Sequence, residues 1–115
     1  MANPIPEGAR KVNRICIVLV TVTSALASLA PVHAGDAAAG KQKSAVYAAC
    51  HGIDGITINS LWPHLAGQHA AYLVKQMKAC RSGERKDPVM EPMAAPLSDA
   101  DIDDLAASYA SQPPK

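Results

Sequence analysis

The chain of 115 residues contains no phenylalanine, and its aromatic residues are one tryptophan and three tyrosines. After residue 34 it holds 19 residues of the Val, Ile, Leu, Met, Trp and Tyr kinds against 16 alanines. A domain this small rarely builds a stable core from side chains alone, and it usually depends on a disulfide, a metal or a cofactor. The shortage of large side chains therefore favours a thin fold that wraps a large, flat group.

The chain also lacks a large net charge of either sign. The whole chain carries 11 Lys and Arg against 10 Asp and Glu, a formal net charge of +1. From residue 35 onward, six Lys and two Arg stand against seven Asp and two Glu, a net charge of −1. So few cations cannot form a basic face, which excludes nucleic acid as a partner.

Only one long uncharged run occurs, and it is short for a membrane span. Residues 15–30 read "ICIVLVTVTSALASLA" and follow a basic stretch with Arg10, Lys11 and Arg14; Val32-His33-Ala34 then supplies small residues for cleavage. This three-part layout predicts a signal peptide at 1–34 and a periplasmic mature protein of residues 35–115. A retained anchor would need roughly 20 apolar residues, so no stable span is expected after cleavage.

Cysteine is scarce, with three residues in the chain. Removal of a signal peptide would also remove Cys16 and leave Cys50 and Cys80. An exported protein meets an oxidising environment, so these two thiols predict a disulfide, a bond to a cofactor, or one of each fate.

The mature part predicts an all-α domain with three main helices and long loops. Asp36 can cap a helix over 37–50, a second helix covers 68–82 and stops at Gly83, and Ser98 opens the last helix in a capping box with Asp101. The loops are residues 52–67 and the proline-rich connector 84–96, which is expected to be extended. No strand pattern is visible.

The motif with chemical meaning is "YAACH", residues 47–51. Haem attachment normally reads C-x-x-C-H, and here Tyr47 stands where the first cysteine belongs. The Cys50 thiol can add to a haem vinyl group, and His51 beside it can ligate the iron.

Residues outside this motif can complete a haem site. The carbonyl of Pro63 is free of helix bonding and can hold the second ring nitrogen of the histidine. Met90 and Met93 offer thioethers for the other face of the iron, and histidine–methionine ligation is the electron-transfer arrangement.

The stretches "GDAAAGK", "AACHGIDG", "WPHLAGQHAAYLVKQMKACRSGERKD" and "VMEPMAAPLSDADIDDLAASYASQ" resemble a small bacterial class I cytochrome c. This is the monohaem kind that also occurs as the halves of dihaem periplasmic cytochromes c, and the resemblance covers nearly all of residues 35–115. It implies the class I cytochrome c fold around one haem c, and an electron carrier that exchanges electrons with redox partner proteins such as a respiratory complex or an oxidase. No catalytic constellation is present, so an enzyme is not expected.

The resemblance also implies roles for single residues. The family's methionine ligand lies seven residues before the leucine of "LSD", which selects Met90, with Met93 as the fallback. Pro63 matches the proline whose carbonyl steadies the axial His51. The first helix is expected to cross the last one at Gly40 and Tyr109.

Two positions depart from the family pattern. Tyr47 in place of a cysteine implies a haem held by a single thioether at Cys50. The phenol could lie against the haem edge or become a ligand, although the second role needs ionisation far below its pKa of about 10. Cys80 stands where an aromatic residue is usual, so a smaller side chain should leave space in the core.

Two other functions remain open on the sequence. One is a haem protein that binds a small gas or acts as a sensor, which would require Met90 to be labile. The other is a haem-free, degenerate copy in which Cys50 and Cys80 form a disulfide.

Overall fold

The computed structural model describes residues 34–115, and every regular element in that range is helical. The elements are α1 (Ala37–Lys43), a 3₁₀ turn (Ser44–Tyr47), α2 (Ala48–His51), α3 (Ala70–Ser82), α4 (Met90–Ala94) and α5 (Asp99–Ser111). The predicted all-α class is confirmed. The signal peptide predicted at 1–34 lies, except for its last residue, outside the described range. None of the helices within 34–115 is long and apolar enough to cross a membrane.

The first predicted helix is helical over its whole length but changes its winding in the middle. The Asp36 carboxylate caps α1 and accepts hydrogen bonds from the backbone N–H groups of Ala38 and Ala39 at 2.8 and 3.1 Å. The Ser44 hydroxyl donates to the Lys41 carbonyl at 2.8 Å. A serine bonded to the preceding turn disturbs regular α-helical pairing. The tighter 3₁₀ turn begins at this serine.

The last helix begins as predicted, with a capping box. The Ser98 hydroxyl accepts from the Asp101 backbone N–H at 3.1 Å, and the Asp101 carboxylate accepts from the Ser98 backbone N–H at 2.9 Å. The helix then buries one stripe in the core, namely Ile102, Leu105, Ala106 and Tyr109.

The first and last helices cross in direct backbone contact at Gly40. A Cβ atom at Gly40 would lie 1.9 Å from the Asp104 carbonyl oxygen, so only glycine permits this approach. The Asp104 carboxylate reinforces the crossing, because it accepts from the Asp36 backbone N–H at 2.7 Å and from Lys43 Nζ at 2.6 Å. The predicted crossing of the first and last helices is present, but Gly40 and Tyr109 do not meet there. Gly40 contacts the backbone of Asp104, whereas the Tyr109 ring lies beside Gly55.

The middle helix α3 begins at Ala70, two residues later than predicted, and ends at Ser82, directly before Gly83, as predicted. Gly83 has a φ of +75°, the left-handed conformation that glycine adopts at helix ends. Near this end Arg81 donates to the Leu97 carbonyl at 2.8 Å and to the Asp99 carboxylate at 2.6 Å. These bonds hold α3 against the start of α5.

The prediction that residues 84–96 form an extended loop is wrong, because α4 lies within them. Pro92 is the third residue of α4, and a proline in the first turn removes only an N–H that has no helical partner there. The N-cap residue is Val89, and the Asp87 carboxylate before it accepts from the backbone N–H groups of Met90 and Val89 at 2.9 and 3.1 Å. Proline therefore fits this helix.

Candidate functional site

The Cys50-His51 pair lies at the end of α2, with the cysteine half-buried and the histidine 6% exposed. His51 Nδ1 lies 3.0 Å from the Pro63 carbonyl oxygen. A carbonyl can only accept, so the proton of this bond is assigned to Nδ1. The Nε2 lone pair is then free for a metal, in the ring orientation that a ligating histidine needs.

The loop that carries Pro63 is held by backbone hydrogen bonds. The Gly55 carbonyl accepts from the N–H groups of Leu65 and Ala66 at 2.8 and 3.1 Å, and the Gly67 N–H donates to the Tyr109 carbonyl at 3.0 Å. The loop is thus closed on itself and fastened to α5. Pro63 therefore has a fixed position relative to α2.

The methionine side of the site is α4. Met90 and Met93 are both half-buried and pack against the central core cluster. The pKa of Asp87 is lowered, chiefly because its carboxylate accepts the Met90 backbone N–H. The charged form of Asp87 therefore stabilises the start of the helix that presents both thioethers.

These elements surround a cavity of about 450 Å³, within the range of small-molecule and cofactor sites. All the predicted site residues line it: Tyr47, Cys50, His51, Pro63, Met90 and Met93. Sequence reasoning did not assign a site role to several other wall residues, namely Val46, Leu61, Trp62, Gln76, Arg85, Asp87 and Val89. Trp62 could have been placed near the site, because it directly precedes Pro63 in the sequence. The polar wall residues could not, because they belong to no short-range sequence pattern.

Tyr47 is 6% exposed, and its hydroxyl donates to the Met93 carbonyl at 3.0 Å. Burial raises the pKa of Tyr47, and the negative charge of Asp101 acts in the same direction. The phenol is therefore a protonated hydrogen-bond donor, which argues against its alternative role as a phenolate ligand.

Cys80 is 2% exposed and lines the same cavity as Cys50. Burial raises the pKa of the Cys80 thiol. Both cysteines are free thiols in the structure. Cys80 thus places a small side chain in the cavity wall, where the resemblance implied an aromatic one.

The residues that line the cavity fit a haem c. A thiol adjoins a histidine with a free Nε2, two thioethers line the same space, and most of the remaining wall is apolar. The fold and this donor set define a small all-α protein of the haem c class.

Comparison with known proteins gives the family. A sequence profile of the cytochrome c family matches residues 37–107, and the chain belongs to that family. It is 51% identical over 82 residues to cytochrome c-554(548) of Halomonas halodenitrificans, covering 69% of this chain and 99% of that protein. It is 46% identical over 96 residues to cytochrome c4 of Pseudomonas aeruginosa, covering 84% of this chain and 47% of the relative.

A solved structure agrees. The crystal structure of reduced recombinant cytochrome c4 from Pseudomonas stutzeri superposes with a TM-score of 0.67 at 44% identity, covering 70% of this chain and 47% of that one. The chain spans nearly all of the c-554(548) relative and about half the length of the cytochrome c4 relatives. The predicted class I fold and the predicted electron-transfer cytochrome are confirmed, and the gas-sensor and haem-free alternatives find no support.

Proposed function

We propose that residues 35–115 form a periplasmic carrier of one electron, with a single haem c whose axial ligands are His51 and Met90. The observation that carries the proposal is the oriented His51 ring in a cavity that is also lined by Cys50 and the thioethers of α4. When bound there, a haem iron supplies a one-electron couple, and histidine–methionine ligation raises its potential. The chain acts as a carrier for redox partner proteins and not as an enzyme.

The residues have separate tasks. Cys50 tethers the group, which keeps it at high effective concentration. Pro63 holds the His51 ring through Nδ1, and α4 presents the sulfur. Most of the cavity wall is apolar, so it would shield much of a bound haem from water.

Met90 and not Met93 is the proposed sulfur ligand. Its register before Leu97 matches the family, and its backbone N–H is fixed by Asp87 at 2.9 Å. Met90→Ala should abolish the methionine-to-iron charge-transfer band, lower the reduction potential and open the ferrous iron to carbon monoxide. Met93→Ala is the matched control and should keep the band. If Met93→Ala removes the band and Met90→Ala keeps it, Met93 is the sulfur ligand.

A single thioether at Cys50 is the proposed attachment. Cys50 is adjacent to His51, whereas Cys80 belongs to α3 and Tyr47 cannot form a thioether. One vinyl group should therefore remain conjugated, and the pyridine haemochrome band should lie to the red of a two-thioether haem c. Tyr47→Cys should move the band back. Haem that leaves the wild-type protein in acid acetone would show that no bond to Cys50 exists.

Export is proposed from the sequence layout of residues 1–34. The protein should be recovered from the periplasm with Gly35 as its first residue, as N-terminal sequencing would show. An intact Met1 on membrane-bound protein would refute cleavage.

A further inference from the structure

Tyr47 makes a long-range contact that its position in the haem motif does not explain. Its ring belongs to the buried core cluster, while its hydroxyl reaches the Met93 carbonyl, 46 residues away, at 3.0 Å. The bond joins the helical segment that carries Cys50 and His51 to the helix that carries both methionines. It therefore spans the two sides of the cavity.

The carbonyl that Tyr47 binds is available for this contact. Leu97, the residue whose N–H would pair with the Met93 carbonyl in a longer α-helix, donates instead to the Ala94 carbonyl at 3.0 Å. The last carbonyls of a helix lack partners within the helix. Tyr47 supplies one from outside.

The helix that receives this bond has little stability of its own. α4 has five residues, far fewer than the ~12–15 that an isolated helix needs to persist in water. Asp87 holds its first turn through the Met90 N–H at 2.9 Å, and Tyr47 holds its last turn. Met90 is thus held through its own N–H, and Met93 through its own carbonyl.

We propose that the Tyr47 hydroxyl is the positioning group for the methionine ligand, fastening α4 across the cavity to the segment that carries Cys50 and His51. The residue that occupies the place of the first haem-binding cysteine thus supplies a non-covalent clamp between the two axial sides of the site. This inference rests on the proposed methionine ligation.

The test is Tyr47→Phe in the full, haem-loaded protein, which removes one oxygen atom and keeps the buried ring. The quantity measured is the apparent dissociation constant of imidazole for the ferric protein at fixed neutral pH. Imidazole can bind only where the methionine has left the iron, so its apparent affinity scales with that open fraction. Loss of a buried hydrogen bond should raise the open fraction about fivefold, and the apparent dissociation constant should fall about fivefold.

Tyr72→Phe is the matched control, since Tyr72 is 49% exposed on α3 and loses the same atom at the surface. It should leave imidazole binding unchanged. Tyr47→Phe should also weaken the methionine-to-iron charge-transfer band and lower the reduction potential, neither of which a merely structural role would change at equal haem content.

The outcomes separate the two proposals. A charge-transfer band in the wild type that Met90→Ala removes, with imidazole affinity unchanged in Tyr47→Phe, overturns the clamp alone. Absence of the band from the wild type overturns both the ligation and the clamp. A fourth measurement needs no variant: in the reduced wild-type protein the Tyr47 hydroxyl proton should exchange slowly and show a nuclear Overhauser contact to α4. Rapid exchange would refute the clamp.

Discussion

Gly40→Ala is expected to be the most damaging single-methyl addition at the junction of the first and last helices. The new Cβ would lie 1.9 Å from the Asp104 carbonyl oxygen and 2.8 Å from Ser108 Cβ. The first of these atoms is backbone, so no change of rotamer relieves the collision. Restoring an ordinary contact of about 3.4 Å requires α1 and α5 to separate by about 1.5 Å.

Two opposing terms set the size of the effect. Alanine is favoured over glycine inside a helix by about 1 kcal/mol. Overpacking of a close contact costs about 1–3 kcal/mol or more, and separation also weakens the bonds of the Asp104 carboxylate to Asp36 and Lys43. The net expectation is a loss of about 3 kcal/mol, a large part of the stability of a small domain.

The assay is urea unfolding of the haem-loaded protein, followed by far-ultraviolet circular dichroism. Gly83→Ala is the control: it makes the same chemical change at a φ of +75°, where the nearest atom, Lys86 Nζ, lies at 3.4 Å. It should cost about 1–2 kcal/mol from backbone conformation alone. A Gly40→Ala protein as stable as the wild type would refute the argument that the helices are in backbone contact.

Further predictions concern the two ends of α5. Ser98→Ala removes the capping box and should lower the free energy of unfolding by about 1 kcal/mol in the same urea assay, whereas Ser98→Asp should retain most of it; equal losses in both variants would contradict the cap. Burial raises the pKa of Tyr109 to about 12 from an ordinary 10.0, and the neighbouring Ser44 side chain lowers it by a smaller amount. The distance and angles between Ser44 and the Tyr109 hydroxyl do not meet the geometry of a hydrogen bond. Because the pKa of Tyr109 is raised in the folded state, burial of the neutral phenol contributes stability that is fully present below pH 10. This contribution, at most about 2–3 kcal/mol, is lost as the pH rises through about 12. Tyr109→Phe removes a buried hydroxyl that lacks a partner within residues 34–115, so the free energy of unfolding at neutral pH should rise by about 1 kcal/mol. The decrease of this free energy above pH 10 should become smaller. If the decrease is unchanged in the variant, another group causes it.

Features with a local cause could be predicted from the sequence. The Ser98–Asp101 capping box and the helix end at Gly83 each depend on residues within one turn. The buried stripe of α5 also has a local cause, because side chains three and four residues apart share a helix face.

Features that depend on distant residues could not be predicted in this way. The short helix α4 was missed because Pro92 suggested a break, and only its place in the first turn makes it tolerable. The hydrogen bond from Tyr47 to Met93 joins segments that meet only in the folded chain. Arg85 and Gln76 line the cavity and bond to each other at 3.0 Å, yet neither belongs to a motif.

The contact between α1 and α5 also has a consequence for the order in which the protein matures. These helices stand near opposite ends of residues 34–115, and the segment carrying Cys50 and His51 directly follows α1. Because α5 is the last helix within residues 34–115, α1 and α5 can dock only after the residues between them have been made, and docking closes the long loop that joins them. The part of the cavity wall that α5 supplies, Leu105 and Tyr109, is therefore absent until that docking takes place. Under the proposed attachment at Cys50, we expect the thioether to form most readily on the exported chain before α5 docks, while the thiol is still accessible.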